Sequence, residues 1–261
     1  MRVAAGLCMI MRRTLATLSF LALAAPPVVH AQAAPPPPPP LWDIQLGASF
    51  VGTSGNSDTA STGADFSAHR RWPSWQIESS ATAVHTANDD VTTAERYLAM
   101  VRGKRILSSL LSVSAGERVE RDQFSGLDFR SVLDGGLGWA LVRQPRWTLD
   151  GVTSIAWNHE SRTIGEDIDH PVGLLQLLSK IPFGAAGDTT QRFAYFPDFK
   201  ESSAYRSEAE VTAQASMTNT LALKLGYLWR YANAPVEGFK KSDNTTTASI
   251  VLKWKSATLA P

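Results

Sequence analysis

Eleven charged residues in this chain occupy positions where their chemistry would face one enclosed space. They are Arg96, Arg102, Lys104, Arg118, Glu120, Arg130, Asp134, Glu208, Glu210, Lys224 and Arg230, and each lies on the polar side of a stretch that alternates polar with apolar residues. Guanidinium, ammonium and carboxylate groups turned toward a common aqueous interior can do two things. They can neutralise one another and prop the space open or shut, or they can set which ions and polar solutes pass through it. A second set, Asp58, Asp122, Asp128, Glu237, Lys240, Lys241 and Asp243, falls in predicted loops and could bind divalent cations or phosphates, or simply be solvated. Nucleophilic chemistry needs a serine and a histidine within reach of each other. His159 and Ser161 share one face of a predicted strand, but spacing assigns them no orienting acid. His69 and His85 are isolated, and no zinc, haem or nucleotide signature occurs, so no metal and no cofactor is expected.

The elements that position these groups are strands. From Phe129 the odd residues read Phe129, Ser131, Leu133, Gly135, Leu137, Trp139 and Leu141, and the even ones Arg130, Val132, Asp134, Gly136, Gly138 and Ala140. Period two with one apolar face is the pattern of a strand wet on one side only. About twelve such segments run between Leu41 and Trp254, most about ten residues long, the length a tilted membrane-spanning strand needs. Those over 205–217, 221–231 and 246–254 alternate most cleanly. The segment at 174–183 is the least clear, because Leu174-Leu175-Gln176-Leu177-Leu178 hardly alternates. Pro197 suggests that the ninth segment ends early or bulges. The predicted fold is all-β: a transmembrane antiparallel up-and-down barrel of about twelve strands with both termini periplasmic.

Two patterns argue for hydrocarbon rather than a second protein layer over the apolar faces. Long or polar connections (54–58, 86–94, 123–128, 161–171, 233–243) follow the odd segments and short ones (72–74, 108–109, 143–146, 184–188, 218–220) the even. Outer-membrane barrels are built this way, with short periplasmic turns and longer outer loops. Glu201-Ser202-Ser203 is short for its place. Trp42, Trp72, Trp75, Trp139, Trp147 and Trp254 then all fall at the periplasmic end, and Tyr97, Phe129, Tyr205 and Tyr231 at the outer end with Trp157 and Trp229 further in, as two aromatic girdles. Strict parity places Glu117 on the lipid side, a costly position near the midplane. The three-residue turn Thr218-Asn219-Thr220 pairs Met217 with Leu221 and therefore Glu208 with Arg230 across the ladder.

The chain of 261 residues is 44% hydrophobic. Residues 1–31 read as a signal peptide, with Met11-Arg12-Arg13 as its basic start, Leu15 to Ala25 as its apolar core and a small-residue cleavage site before Gln32. Residues 32–40 form a stiff proline-rich periplasmic linker, 41–254 the barrel, and 255–261 a short tail. Cleavage would remove the only cysteine, Cys8, and three arginines. The 25 basic and 24 acidic residues then become 22 against 24, a net charge of about −2, which does not favour a nucleic-acid partner. The expected location is the bacterial outer membrane. The expected partners are its lipid and lipopolysaccharide, together with the barrel-assembly machinery.

Several motifs carry a family resemblance. Arg121-Asp122-x-Phe124-x-Gly126-Leu127-Asp128-x-Arg130 resembles the central motif of the salt-induced outer-membrane proteins, a bacterial family of unassigned function. Gly55-Asn56-Ser57-Asp58-Thr59 is similar to its early motif. Tyr227 to Tyr231, Pro235 and Gly238-x-Lys240-Lys241-x-Asp243 are similar to its closing segment. The resemblance implies an outer-membrane barrel and brings no catalytic residues and no substrate. Three functions are open to such a sequence. The first is a narrow channel for ions or small polar solutes, and the second a non-conducting envelope barrel that meets lipopolysaccharide or partners through its outer loops. The third, a phospholipase-like enzyme using His159 and Ser161, is set against the expectation of a non-enzyme.

Overall fold

Alternation sustained over ten or more residues gives twelve strands in the computed structural model of the protein, which describes residues 41–54, 59–88, 91–184 and 186–256. The predicted signal peptide, the proline-rich linker, the Gly55–Asp58 motif and residues 257–261 lie outside the described residues. The strands are β1 (Trp42–Ser54), β2 (Thr59–Arg71), β3 (Trp75–Asn88), β4 (Val91–Ile106), β5 (Leu111–Asp122) and β6 (Leu127–Gln144). They continue as β7 (Trp147–Arg162), β8 (Ile168–Phe183), β9 (Gly187–Phe196), β10 (Arg206–Ser216), β11 (Leu221–Ala232) and β12 (Ser242–Lys255). Each strand pairs antiparallel with the next, and β1 pairs with β12 from Asp43↔Lys255 to Ser54↔Asn244, so the sheet closes into a barrel. Closure leaves no unpaired edge, which is the condition for a sheet to stand in hydrocarbon.

The two faces separate as the parity requires. Leu46, Phe66, Val101, Leu133, Ile155, Leu175, Leu225 and Ile250 are exposed on the outside, while Ser112, Ser114, Glu120, Asp134, Ser154 and Ser249 are buried inside. A protein in water would not leave so large an apolar belt uncovered. Hydrocarbon is the solvent that fits it.

We call the end where β1 begins and β12 finishes proximal, and the other distal. The proximal connections are 72–74, 107–110, 145–146, 184–186 and 217–220. Trp42, Trp72, Trp75, Trp147 and Trp254 lie at this end, and Trp139 faces Leu111, the first residue of β5. All six indoles are exposed. The Arg70 guanidinium is sandwiched between Trp42 and Trp72, at 4.8 and 4.9 Å from their ring centroids. At the distal end the rings of Tyr195, Tyr205, Tyr231 and Trp229 follow one another at 5.7, 6.0 and 5.8 Å.

Three connections differ from the sequence expectation. The polar stretches at 86–94 and 161–171 are mostly strand: β3 pairs with β4 out to Asn88↔Val91, and β7 with β8 out to Glu160↔Ile168. In both stretches the residues turn polar and the apolar–polar alternation stops, so polarity there does not mark a loop. Conversely, the connection after β9 runs from 197 to 205, longer than Glu201-Ser202-Ser203 suggested. Pro197 has no N–H to donate to the ladder. Its carbonyl accepts from Gly173 N at 2.8 Å, and its ring lies where a Cβ on Gly173 would be, only 2.7 Å away. β8 fails to alternate because both of its faces are apolar. Val172 and Leu174 point inward against Val132, Ala156, Ala194 and Phe196, while Leu175 and Leu177 face outward.

Glu117 does lie on the outer face. Its carboxylate accepts a hydrogen bond from the Ser131 hydroxyl at 3.1 Å, so the charge has a partner on the lipid side.

The 3-10 turn Gln123–Ser125 ends at Gly126, whose φ is +81°. A Cβ there would come within 2.7 Å of Val236 Cβ and 2.9 Å of the Phe239 ring, so the β11–β12 loop rests on this glycine. Gly126→Ala combines left-handed strain of about 1–2 kcal/mol with a steric push on that loop. The expected result is a loss of about 2 kcal/mol, read as a lowered urea midpoint for barrel refolded in phospholipid vesicles. An unchanged midpoint would mean the loop does not rest there.

Candidate functional site: an ion-pair layer across the lumen

Inward-pointing side chains divide the lumen into three spaces. A proximal cavity of about 920 Å³ is lined by Lys104, Arg143, Asp150, Lys180 and Lys224, among others. A middle cavity of about 340 Å³ is lined by Arg96, Arg102, Arg118, Asp134 and Lys224. The two share Ser67, Arg192, Glu210, Thr212 and Lys224 in their walls. A distal vestibule of about 100 Å³ is lined by Glu120, Arg130, Glu160, Arg206, Glu208 and Arg230, and by residues of the 233–241 loop. All eleven charged residues singled out in the sequence line one of these three spaces.

Between the middle cavity and the vestibule lies a continuous layer of ion pairs. Glu120 on β5 is its centre: Arg96 reaches it at 2.8 Å, Arg230 at 3.4 Å, and Arg118 and Arg130 each at 3.5 Å. Arg118 on β5 makes a two-pronged bond to Glu208 on β10, Nη1 to Oε2 at 2.9 Å and Nη2 to Oε1 at 2.7 Å. β5 and β10 are five strand steps apart in a ring of twelve, so this pair joins nearly opposite walls. Arg230 on β11 likewise reaches Asp122 on β5 at 2.9 Å. Arg130 and Arg162 share Glu160 at 2.7 Å each, and Arg192 bonds Glu210 at 3.0 Å and Glu208 at 3.1 Å. A paired fork of guanidinium and carboxylate is the strong, oriented form of such a contact.

Below the layer, Arg102 on β4 bonds Asp134 on β6 through two contacts of 2.9 and 2.5 Å. Register puts Arg102, Gly116 and Asp134 in one row, and the glycine between them lets the guanidinium lie flat across β5. Lys224 on β11 meets Asp65 on β2 near the shared wall of the two larger cavities.

The sequence located these residues better than it paired them. β10 and β11 align Glu208 with Arg230 in the ladder, yet the two do not bond; Glu208 turns to Arg118 and Arg192, and Arg230 to Asp122 and Glu120. Asp122 and Asp243, placed in loops by the sequence, are strand residues, and both carboxylates face Arg230, at 2.9 and 3.9 Å. Arg192, Glu160, Arg206 and Asp65 were not singled out. Glu160 carried a signal, because it sits opposite in parity to His159 and Ser161. Arg206 carried one too, because it shares parity with Glu208 and Glu210. Arg192 needed the register of β9, which Pro197 obscured.

Among the other motif residues, Leu127 is buried, and the Asp128 carboxylate accepts from Gln123 Nε2 at 2.8 Å. Phe124 belongs to the 3-10 turn, and Lys240 and Lys241 line the vestibule from the distal loop. Among the described residues, no cluster of three or more His, Cys, Asp or Glu is placed to hold a metal ion. His159 faces outward, with Nδ1 3.8 Å from Asp169. Ladder pairing sets it opposite Ser131, whose hydroxyl is bonded to Glu117, while Ser161 faces Phe129.

Fold and site together define a closed, antiparallel, twelve-stranded membrane barrel whose lumen is lined by polar and charged side chains and crossed by one charged layer. The chain belongs to the family described as "Protein of unknown function, DUF481", whose model matches residues 45–254. The fold recurs among solved structures, including a porin and an outer-membrane channel. The NanC porin is 12% identical, with a TM-score of 0.56 over 80% of this chain and 100% of that one. An outer-membrane channel from Pseudomonas putida F1 is 11% identical, with a TM-score of 0.52 over 85% of this chain and 100% of that one. No curated protein matches the sequence.

Proposed function

We propose that the barrel stands in the bacterial outer membrane as a narrow channel for ions or small polar solutes, constricted by the Arg118–Glu208 and Glu120 layer. The observation that carries this reading is the shape of the lumen: a wide proximal and a middle space with common walls, narrowing to a layer of charge before a small distal vestibule. The likeness to a porin and an outer-membrane channel supports it, and so does the motif resemblance to the salt-induced outer-membrane proteins. In this reading the short proximal turns face the periplasm after export and removal of the signal peptide. The 233–241 loop, with Glu237, Lys240 and Lys241, faces outward, where lipopolysaccharide phosphates are the nearest anions.

The cross-lumen bond from Arg118 to Glu208 favours a second reading as well, in which the layer is a permanent plug and the protein a non-conducting envelope barrel. Planar-bilayer recording on the refolded protein separates the two. The channel reading expects small, resolvable current steps. Silence from protein that shows the folded, heat-modifiable band on a gel would leave the plugged barrel.

A further inference from the structure

The charged layer contains one arginine more than its carboxylates can hold. Arg96, Arg118, Arg130, Arg162, Arg192 and Arg230 each have a carboxylate within 4.0 Å. Arg206 has none among the described residues. Its guanidinium makes two neutral contacts: Nη2 donates to Asn158 Oδ1 at 3.4 Å, and Cζ lies over the Phe196 ring, 4.9 Å from its centroid. Phe196 is the ladder partner of Arg206 on β9, and Asn158 is itself buried on β7, so the side chain lies along the wall from β10 toward β7. A guanidinium carries five N–H donors, and one is used. The neighbouring acids are already engaged: Glu160 by Arg130 and Arg162, Glu208 by Arg118 and Arg192, and Asp198 by His170 at 3.4 Å.

A cation held in place by an aromatic face and an amide, with its fork left free, is built to receive an oxyanion. We propose that Arg206 is the anchor of an oxyanion subsite in the distal vestibule, taking the carboxylate or phosphate of a small hydrophilic solute. Lys240 and Lys241 at the rim add a positive approach to it. A vestibule of about 100 Å³ holds the acidic group rather than a whole sugar ring, so the remainder of the solute extends toward the distal opening. The subsite names the substrate class of the channel reading and rests on it, but binding is measured without any current.

The test is isothermal titration of the refolded barrel with D-glucuronate, inorganic phosphate and D-glucose. Saturable binding of either anion, with none for glucose, is the expected result, and the anion that binds identifies the group. Arg206→Gln should weaken that binding about tenfold or more. Arg206→Lys, which keeps the charge but loses the fork, should fall between. Should the glutamine variant not refold, phenylglyoxal labelling of the wild-type barrel answers the same question. The bound anion should slow adduct formation at Arg206 and leave the exposed Arg105 and Arg121 unaffected. Absence of saturable binding for both anions, equal affinity in Arg206→Gln, or an unprotected Arg206 would each overturn the subsite. A silent bilayer with binding intact would overturn the channel alone.

Discussion

Replacing both Arg118 and Glu208 by serine should raise the single-channel conductance several-fold, because it removes the two-pronged bond that joins nearly opposite walls of the barrel. The charge balance of the layer is unchanged by the double replacement, so selectivity should move little while the current grows. The single variants behave differently. Glu208→Ser leaves Arg118 and Arg192 without a shared carboxylate and should shift the reversal potential in a salt gradient toward anion preference. Arg118→Ser should shift it the other way, since field strength at a ring of charges sets which ions enter. If the wild type is silent and the double variant conducts, the pair is a plug. If the double variant conducts no better than the wild type, the pair is not the constriction.

Glu120→Ala should be the most destabilising single substitution in the lumen. Four guanidiniums converge on this one buried carboxylate, and removing it leaves Arg96 with only a 3.7 Å contact to Asp122. Breaking a buried ion pair by deleting one partner costs about 3–5 kcal/mol, because the surviving charges stay desolvated. Equilibrium urea unfolding of the barrel in phospholipid vesicles would measure that loss. Glu120→Gln, which keeps the shape but not the charge, should lose nearly as much. A change of less than about 1 kcal/mol would show that water reaches the layer and screens it, as it does at surface pairs. These expectations are linked. A dry layer predicts a large stability effect and a small wild-type current, and a wet layer predicts the reverse.

Much of the barrel was legible in the chain because its strands are solvated differently on their two faces. Leu221, Leu223, Leu225 and Tyr227 against Ala222, Lys224 and Gly226 is enough to say which side of β11 meets hydrocarbon. The short turn 218–220 is enough to set its register with β10. The reading failed where the alternation stops. At the distal ends polar residues replace it, so the strand extensions at 86–88 and 168–171 resembled loops. In β8 both faces are apolar, so Val172 and Leu174 gave no sign that they point inward.

Alternation is a property of neighbours along one strand, and residue types alone determined it: twelve strands, an apolar outside, a charged inside, and six of the eight tryptophans gathered at one end. Which charges meet is a property of the closed ring. Glu208 and Arg230 are ladder neighbours that do not bond, whereas Arg118 and Glu208, separated by 90 residues in the chain, do. Strand number, stagger and tilt fix how far apart opposite walls stand, and no single segment encodes them. Only closure gathered seven arginines around a few shared carboxylates and left Arg206 with none within 4.0 Å among the described residues.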